Sequence, residues 1–198
     1  GPRKTCRSSG RRQDVERYDR TYETLDMRTD DRCVAYVTRN MPDKRNALAA
    51  SMIAELTDMA STIGASRETR AIVLAGAGKV FCAGGDLAWM KQQIAADRAG
   101  RMREARKLAE MLNALNEMPT PMIARIQGGA FGGGVGMACV ADVAVAADTA
   151  KFGLTETRLG LIPATIGPYV LARMGEGNAP RVFMSARVFG ATGRGGHG

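Results

Sequence analysis

Two glycine clusters, each delivered by an apolar run, can do chemistry in this chain without any reactive side chain. In IQGGAFGGGVG (126–136), six glycines follow the apolar stretch MIARI and open a second apolar run that contains no proline. Upstream, AIVLA (71–75) leads through Gly76 and Gly78 to FCAGGDL (81–87), where Gly84 and Gly85 precede another predicted helix. A strand that runs into glycines and then a helix leaves backbone N–H groups unhindered and facing something negative. Two such turns supply two donors. That is the minimum for an oxyanion hole, which stabilises charge as it develops on a carbonyl oxygen. Farther along, KFGLTETRLGLIP (151–163) holds Glu156 between apolar segments.

Other chemistries are poorly provided for. The single histidine, His197, sits in a glycine-rich tail, which disfavours a Ser-His-Asp triad, a Cys-His pair and histidine-bearing zinc sites. Acid–base work falls to carboxylates, Lys, Tyr or Cys. Cys6, Cys33, Cys82 and Cys139 are widely separated, a pattern that fits reduced, buried thiols better than a disulfide framework or a CxxC zinc site. No metal site is expected. GAGK (76–79) resembles half a P-loop, but a leading glycine is missing at the required spacing and Val80 stands where Ser or Thr should hold magnesium. The glycines of 128–136 do not space as a GxGxxG fingerprint opening a first βαβ unit, so a dinucleotide fold is also disfavoured.

The elements that must position these turns follow from periodicity. YETLDM (22–27) and CVAYVT (33–38) read as strands of a hairpin around the charged turn 28–32. Pro42 introduces the polar loop MPDKRNAL, and Met52, Ile53, Leu56, Met59, Ala60 and Ile63 then recur at helical spacing up to Gly64. Strand AIVLA, the first glycine turn and a helix carrying Leu87, Met90 and Ile94 come next, with Trp89 either packing or walling a pocket. Leu108, Met111, Leu112, Leu115 and Met118 predict a long helix ended by Pro119 and Pro121. Strand MIARI, the second glycine turn, a small-residue helix to about Ala141 and the strand DVAVAA (142–147) follow. Helical signals return at 166–174 and 181–185. This strand–helix alternation predicts an α/β fold.

With 198 residues, 45% of them hydrophobic, the chain can bury one good-sized core. The expected organisation is a basic flexible extension (1–20), a core domain (21–190) and a disordered tail (191–198). No apolar run approaches the roughly 20 residues that span a bilayer, and the Arg-rich start lacks a secretion signal's apolar core. A soluble, cytoplasmic protein is therefore expected. The net charge of +8 sits largely in the extension, which reads as a solvated segment better than as a nucleic-acid arm. A basic balance would equally favour a polyanionic cofactor.

DKRNAL (43–48), FCAGGDL, ARIQGGAFGGGVGMACVAD (124–142) and FGLTETRLGLIP (152–163) together resemble the crotonase, or enoyl-CoA hydratase/isomerase, superfamily. AGGDLAWMK and LGLIPATIGPYV are most similar in pattern to its bacterial methylglutaconyl-CoA hydratase-like members. The resemblance, over roughly 22–189, implies a single-domain spiral of ββα units that binds an acyl-CoA. It assigns the two oxyanion donors to the backbone N–H groups of Gly85 and Gly133, and the catalytic carboxylate to Glu156. Amid Phe152, Leu154, Leu159, Leu161 and Ile162, that carboxylate would lose hydration, and desolvation raises a carboxyl pKa toward the range useful for proton transfer. Lys44, Arg45 and Ala47 in the DKRNAL loop, together with Ala83, Gly84, Asp86 and Leu87, lie where relatives hold coenzyme A, which would be a co-substrate rather than a prosthetic group.

The departures from the pattern matter too. Hydratases with a carboxylate pair carry their first Glu three residues beyond the second oxyanion glycine, and that position here is Gly136. Relatives continue into C-terminal helices that cover the acyl pocket and build a trimer, whereas this chain turns into ATGRGGHG. The expectation is a version truncated at the C-terminus. The implied activity is addition of water to, or its removal from, a short or branched 2-enoyl-CoA, with methylglutaconyl-CoA one candidate, in fatty-acid or branched-chain amino-acid breakdown. A one-carboxylate enoyl-CoA isomerase and a non-catalytic acyl-CoA-binding remnant are the alternatives. A homo-oligomer, trimer or hexamer, is implied, while membranes and nucleic acids are disfavoured as partners.

Overall fold

The computed structural model describes residues 20–192. The fold repeats one motif, two strands followed by a helix. β1 (Leu25–Thr29) and β2 (Val34–Arg39) form the expected hairpin and lead to α1 (Ala50–Thr62). β3 (Ala71–Gly76) and β4 (Val80–Cys82) precede α2 (Leu87–Ala95) and α3 (Arg98–Asn116). β5 (Met122–Ile126) and β6 (Gly129–Phe131) precede α4 (Gly133–Val140). β7 (Val143–Ala146) and β8 (Lys151–Gly153) lead through a short 3-10 helix (Glu156–Leu159) to α5 (Gly167–Met174), α6 (Ala179–Ser185) and β9 (Val188–Gly190).

The strands sort into two sheets. β1-β2-β3-β5-β7 form one and β4-β6-β8-β9 the other, so β3, β5 and β7 each hand the chain from the first sheet to the second. Only the outer pairs β1–β2 and β8–β9 are antiparallel. This is the α/β architecture expected. β4, β6, β8 and β9 are three residues each, too short to register as strands by alternation.

The core lies between the sheets and the helices. On α1, Met52, Ile53, Leu56, Met59 and Ala60 are buried, at the spacing that lines one helical face. Met111, Leu112 and Leu115 of α3 join them. α3 starts ten residues before the first of its apolar markers, because Asp97 caps it by accepting a hydrogen bond from the Gly100 N–H at 2.7 Å. Leu87 and Ile94 do not form a buried face on α2; both are exposed.

β2 holds the one surprise of the core. Its alternation turns Ala35, Val37 and Arg39 to the same buried side, and Arg39 is fully buried. The guanidinium lies 4.0 Å from the centroid of the Phe81 ring, Nε donates to the Ala75 carbonyl at 3.3 Å, and Nη1 lies 3.7 Å from the Met137 sulfur.

Cysteine usage departs from expectation. Cys33 is disulfide-bonded, which overturns the expectation of four reduced thiols, while Cys82 and Cys139 are free. Four widely spaced cysteines carry no spacing signature for a single bridge. Arg20 pairs with Asp58, which also accepts from the Tyr22 hydroxyl at 2.7 Å. The rest of the basic extension, 1–19, and 193–198 of the tail lie outside the described residues.

The polar loop before α1 is fastened by Asn46, fully buried in the left-handed region at φ 51°. Its Oδ1 accepts from the Met41 N–H at 3.0 Å, and its Nδ2 donates to the carbonyls of Ala77 at 2.9 Å and Val80 at 2.7 Å. Asn46→Ala strands these backbone groups in the interior. It is expected to cost about 3 kcal/mol, a fall of roughly 6–12 °C in Tm for a domain of this size, read by thermal denaturation.

Candidate active site

β4 and β6 are neighbouring parallel strands, so both run toward the same edge of their sheet and release their glycines side by side. β4 continues through Ala83, Gly84 and Gly85 into α2, and β6 through Gly132 into α4. Gly84 and Gly132 both take positive φ, 101° and 50°, and the turns touch: a Cβ placed on Gly132 would lie 3.7 Å from the Gly84 Cα. Leu48 straps them together. Its N–H donates to the Gly84 carbonyl at 2.8 Å and its carbonyl accepts from the Asp86 N–H at 2.9 Å. Its Cδ1 lies 2.4 Å from where a Cβ on Gly133 would project.

The Gly85 and Gly133 N–H groups donate to no backbone or side-chain acceptor among the described residues. Gly133 is the first residue of α4, so its amide belongs to the set left without intrahelical partners, at the positive end of the helix. Met90 and Trp89 stand over Gly85, 3.2 Å and 3.7 Å from its would-be Cβ. Trp89 is fixed by its indole N–H, which donates to Glu104 at 3.1 Å. Such an apolar rim strengthens any electrostatic interaction made by the two amides.

Glu156 arrives from the third strand of the same sheet. β8 pairs with β6, Phe131 opposite Gly153, and the Gly132 N–H donates to the Gly153 carbonyl at 3.0 Å. The Glu156 Oε1 then lies 3.0 Å from where a Gly132 Cβ would be, beside the second glycine turn. Its Oε2 is buried and has no hydrogen-bond partner. Burial pushes the carboxyl above its ordinary range, opposed weakly by the residue's own N–H. Of the apolar residues around Glu156 in sequence, Leu154 is buried and Phe152 half-buried, while Leu159, Leu161 and Ile162 are exposed. The carboxylate itself lies against the glycine turn.

No second carboxylate joins it at position 136. A Cβ on Gly136 would come within 2.6 Å of Ile166 Cγ2 and 3.5 Å of Leu112 Cδ2, so the space for a side chain is filled by α5 and α3. No group of three or more His, Cys, Asp or Glu among the described residues could hold a metal ion.

The expected coenzyme A residues form a loop beside the first turn. Lys44 ends a 3-10 helix (Pro42–Lys44) and is exposed, as is Arg45, whose carbonyl accepts from the Ala83 N–H at 3.0 Å. The Ala47 N–H is taken by Lys44, and the Asp86 side chain caps α2 through the Trp89 N–H at 2.9 Å. The amides of Ala47, Ala83 and Asp86 are thus already used within the protein. Leu87 is exposed at the start of α2. Asn46 and Leu48, which assemble this corner, were inside a recognised motif but carried no assigned role. The signal that could have found Asn46 is its residue type, since Asn tolerates positive φ and bonds backbone groups.

Parallel strands thus bring together two unengaged glycine amides and a half-buried carboxylate, a class of site suited to stabilising charge that develops on a carbonyl oxygen. The comparisons make the class specific: the enoyl-CoA hydratase/isomerase family matches residues 29–198, and the chain belongs to that family. It is 34% identical over 189 residues to enoyl-CoA hydratase AFT6-1 of Alternaria alternata, covering 94% of this chain and 60% of that protein. A crystal structure of an enoyl-CoA hydratase from Shewanella pealeana superposes with a TM-score of 0.83 at 36% identity, over 86% of this chain and 64% of that one. An enoyl-CoA hydratase/isomerase from Marinobacter aquaeolei gives 0.82 at 39%, over 87% and 67%. The fold is the α/β crotonase fold. The chain spans about three-fifths of the length of the curated relative.

Because burial raises the Glu156 pKa, ionising it in the folded state opposes folding. The sign follows: stability is full below the ordinary carboxyl pKa, where both states are protonated, and falls as pH rises through the folded value. Glu156→Gln is therefore expected to raise Tm at pH 7–8, with the gain shrinking toward zero near pH 4. Thermal melts across that range read it; a pH-independent difference would contradict the assignment.

Proposed function

We propose that this corner binds a 2-enoyl-CoA thioester and adds water across its double bond, with Gly85 and Gly133 donating to the thioester oxygen and Glu156 as the acid–base group. The observation that carries the reading is the Glu156 carboxyl lying against the Gly132 turn with an unpartnered oxygen, beside two unengaged amides. In the forward direction Glu156 takes a proton from water as the water oxygen bonds to C3, and the electron pair of the C2–C3 double bond moves to the thioester oxygen. The enolate then collapses as C2 takes the proton back from Glu156. One carboxyl suffices if it serves as base and then acid, and a carboxyl with a raised pKa suits both roles. Differential stabilisation of the enolate by the amides supplies the rate, each donor being worth about 100- to 1,000-fold.

The filled space at Gly136 supports a second reading, isomerisation of a 3-enoyl to a 2-enoyl thioester, in which Glu156 carries a proton from C2 to C4 and no water is activated. A short or branched acyl group, methylglutaconyl among them, is the proposed substrate class, with Lys44 and Arg45 as cations for the coenzyme A phosphates. A homo-oligomer is proposed as well: Ile162 and Met184 are each more than three-quarters exposed, as apolar side chains awaiting a partner would be. Sedimentation at micromolar concentration should show more than a monomer.

The deciding experiment incubates the protein with a panel of 2- and 3-enoyl-CoAs under mass detection. A gain of one water identifies hydration, and a product of unchanged mass with a moved double bond identifies isomerisation. Glu156→Gln is expected to lower kcat by about 100- to 10,000-fold while thioester binding persists. Binding without turnover by the unaltered chain would select a non-catalytic acyl-CoA binder, and no binding of any thioester would overturn the reading.

A further inference from the structure

Arg39 has no place in the mechanism above, yet its position is costly. The guanidinium is fully buried, one of its nitrogens, Nη2, has no hydrogen-bond partner, and none of the ion pairs among the described residues includes it. A buried charge without a counter-charge is among the least favourable things a core can hold, and a neutral side chain of similar length would fill the same space without that penalty. What surrounds it explains where its field is felt. The ring beneath it, Phe81, and its electrostatic neighbour Cys82 are both on β4, which runs into Gly84 and Gly85. Met137, on its other side, is on α4, one helical turn beyond Gly133. The charge therefore packs against the two elements, β4 and α4, that border the glycine turns.

We propose that Arg39 is a positioning charge for the site, a buried cation held by β4 and α4 whose field stabilises the anion that forms at the Gly85 and Gly133 amides. The inference rests on the thioester reading of that site and adds to it a long-range electrostatic contribution that neither glycine turn makes alone. Cys82 does not cancel the charge: burial pushes its thiol above the ordinary range, so it stays protonated and neutral, and an arginine keeps its proton within proteins. Cys82 is three steps along the chain from Gly85, a span of at most about 10 Å, and the proposal puts the cation about that far from the developing oxyanion. At that distance and an effective dielectric of about 20, the attraction amounts to about tenfold in an equilibrium. The effect falls on the anionic form alone, because a neutral carbonyl at the same place carries little charge to attract.

The test uses the whole chain and two thioesters. Acetoacetyl-CoA loses a proton from C2 to give an enolate with its own near-ultraviolet absorbance, so titrating the bound ligand gives its pKa on the protein; butyryl-CoA reports binding of a neutral thioester carbonyl. Arg39→Met is expected to raise the pKa of bound acetoacetyl-CoA by about one unit, equivalent to the tenfold loss of enolate affinity, and to leave the Kd for butyryl-CoA within about twofold. Arg39→Lys, which keeps the cation, should restore most of the shift. If Arg39→Met does not fold, Arg39→Gln, a neutral side chain that can still donate to the Ala75 carbonyl, carries the comparison. A folded neutral variant whose bound enolate titrates as in the unaltered protein overturns the proposal, as does a loss that Arg39→Lys fails to restore. Failure of the unaltered chain to bind either thioester overturns the thioester reading itself, and is told apart by appearing before any substitution is made.

Discussion

Leu48 is the residue on which the candidate site depends. Two amides can act on one oxygen only if two separate turns are held in register, and neither glycine turn has a side chain with which to hold itself. Leu48 reaches both: its backbone bonds to Gly84 and Asp86 on one, and its side chain packs against Gly133 on the other. The absence of a Cβ at Gly133 has a second consequence, since any side chain there would displace the strap that aligns the amides. Positioning is thus achieved by main-chain hydrogen bonds and close packing, the most rigid means available, and rigidity is what makes a donor pair useful to a transition state.

The parallel pairing of β4 with β6 and of β6 with β8 decides the rest of the geometry. Parallel neighbours release their chains at the same sheet edge, which is why Gly85, Gly133 and Glu156, the first and last of them 71 positions apart in sequence, come to one corner. The same packing that delivers Glu156 removes room for a second carboxyl. Ile166, at the start of α5, fills the space above Gly136, so the departure at that position is compensated by a neighbour and is built into the packing of the helices.

Much of this was legible beforehand, for identifiable reasons. The hairpin, α1 and β3 carry strong periodicity and clear stops, and the glycine turns announce themselves by composition. β4, β6, β8 and β9 were hidden because three residues cannot show alternation. The disulfide at Cys33 was hidden because widely spaced cysteines carry no pairing signature. The raised pKa of Glu156 was legible in direction, but its contact with the Gly132 turn was not, because that turn is distant along the chain. Arg39 was invisible for the opposite reason. A polar residue at the end of a strand reads as its exposed terminus, and only the continuation of the β2 alternation toward the core shows otherwise.

The unpartnered buried atoms sharpen the reading. Among the described residues they belong to Arg39, Gln93, Gln127 and Glu156; Glu156 lies against the second glycine turn, and Arg39 packs on β4 and α4, which border the two turns. Gln127 immediately precedes the second cluster and donates to the carbonyls of Gly76 and Gly78. A sequence selected for stability alone satisfies its interior polar groups, and exceptions collect where the local environment serves another end. In the proposed arrangement the two charged exceptions have opposite signs and flank the amides, with the cation behind them and the ionisable carboxyl in front. That order matches the proposed reaction, in which negative charge leaves the acid–base group, passes to the thioester oxygen and returns. Reversing it would place a repelling charge behind the oxyanion and an undroppable proton in front. The penalty of burying both groups is then the penalty of keeping a field in place before any substrate arrives, which is how preorganised sites avoid reorganising during the reaction.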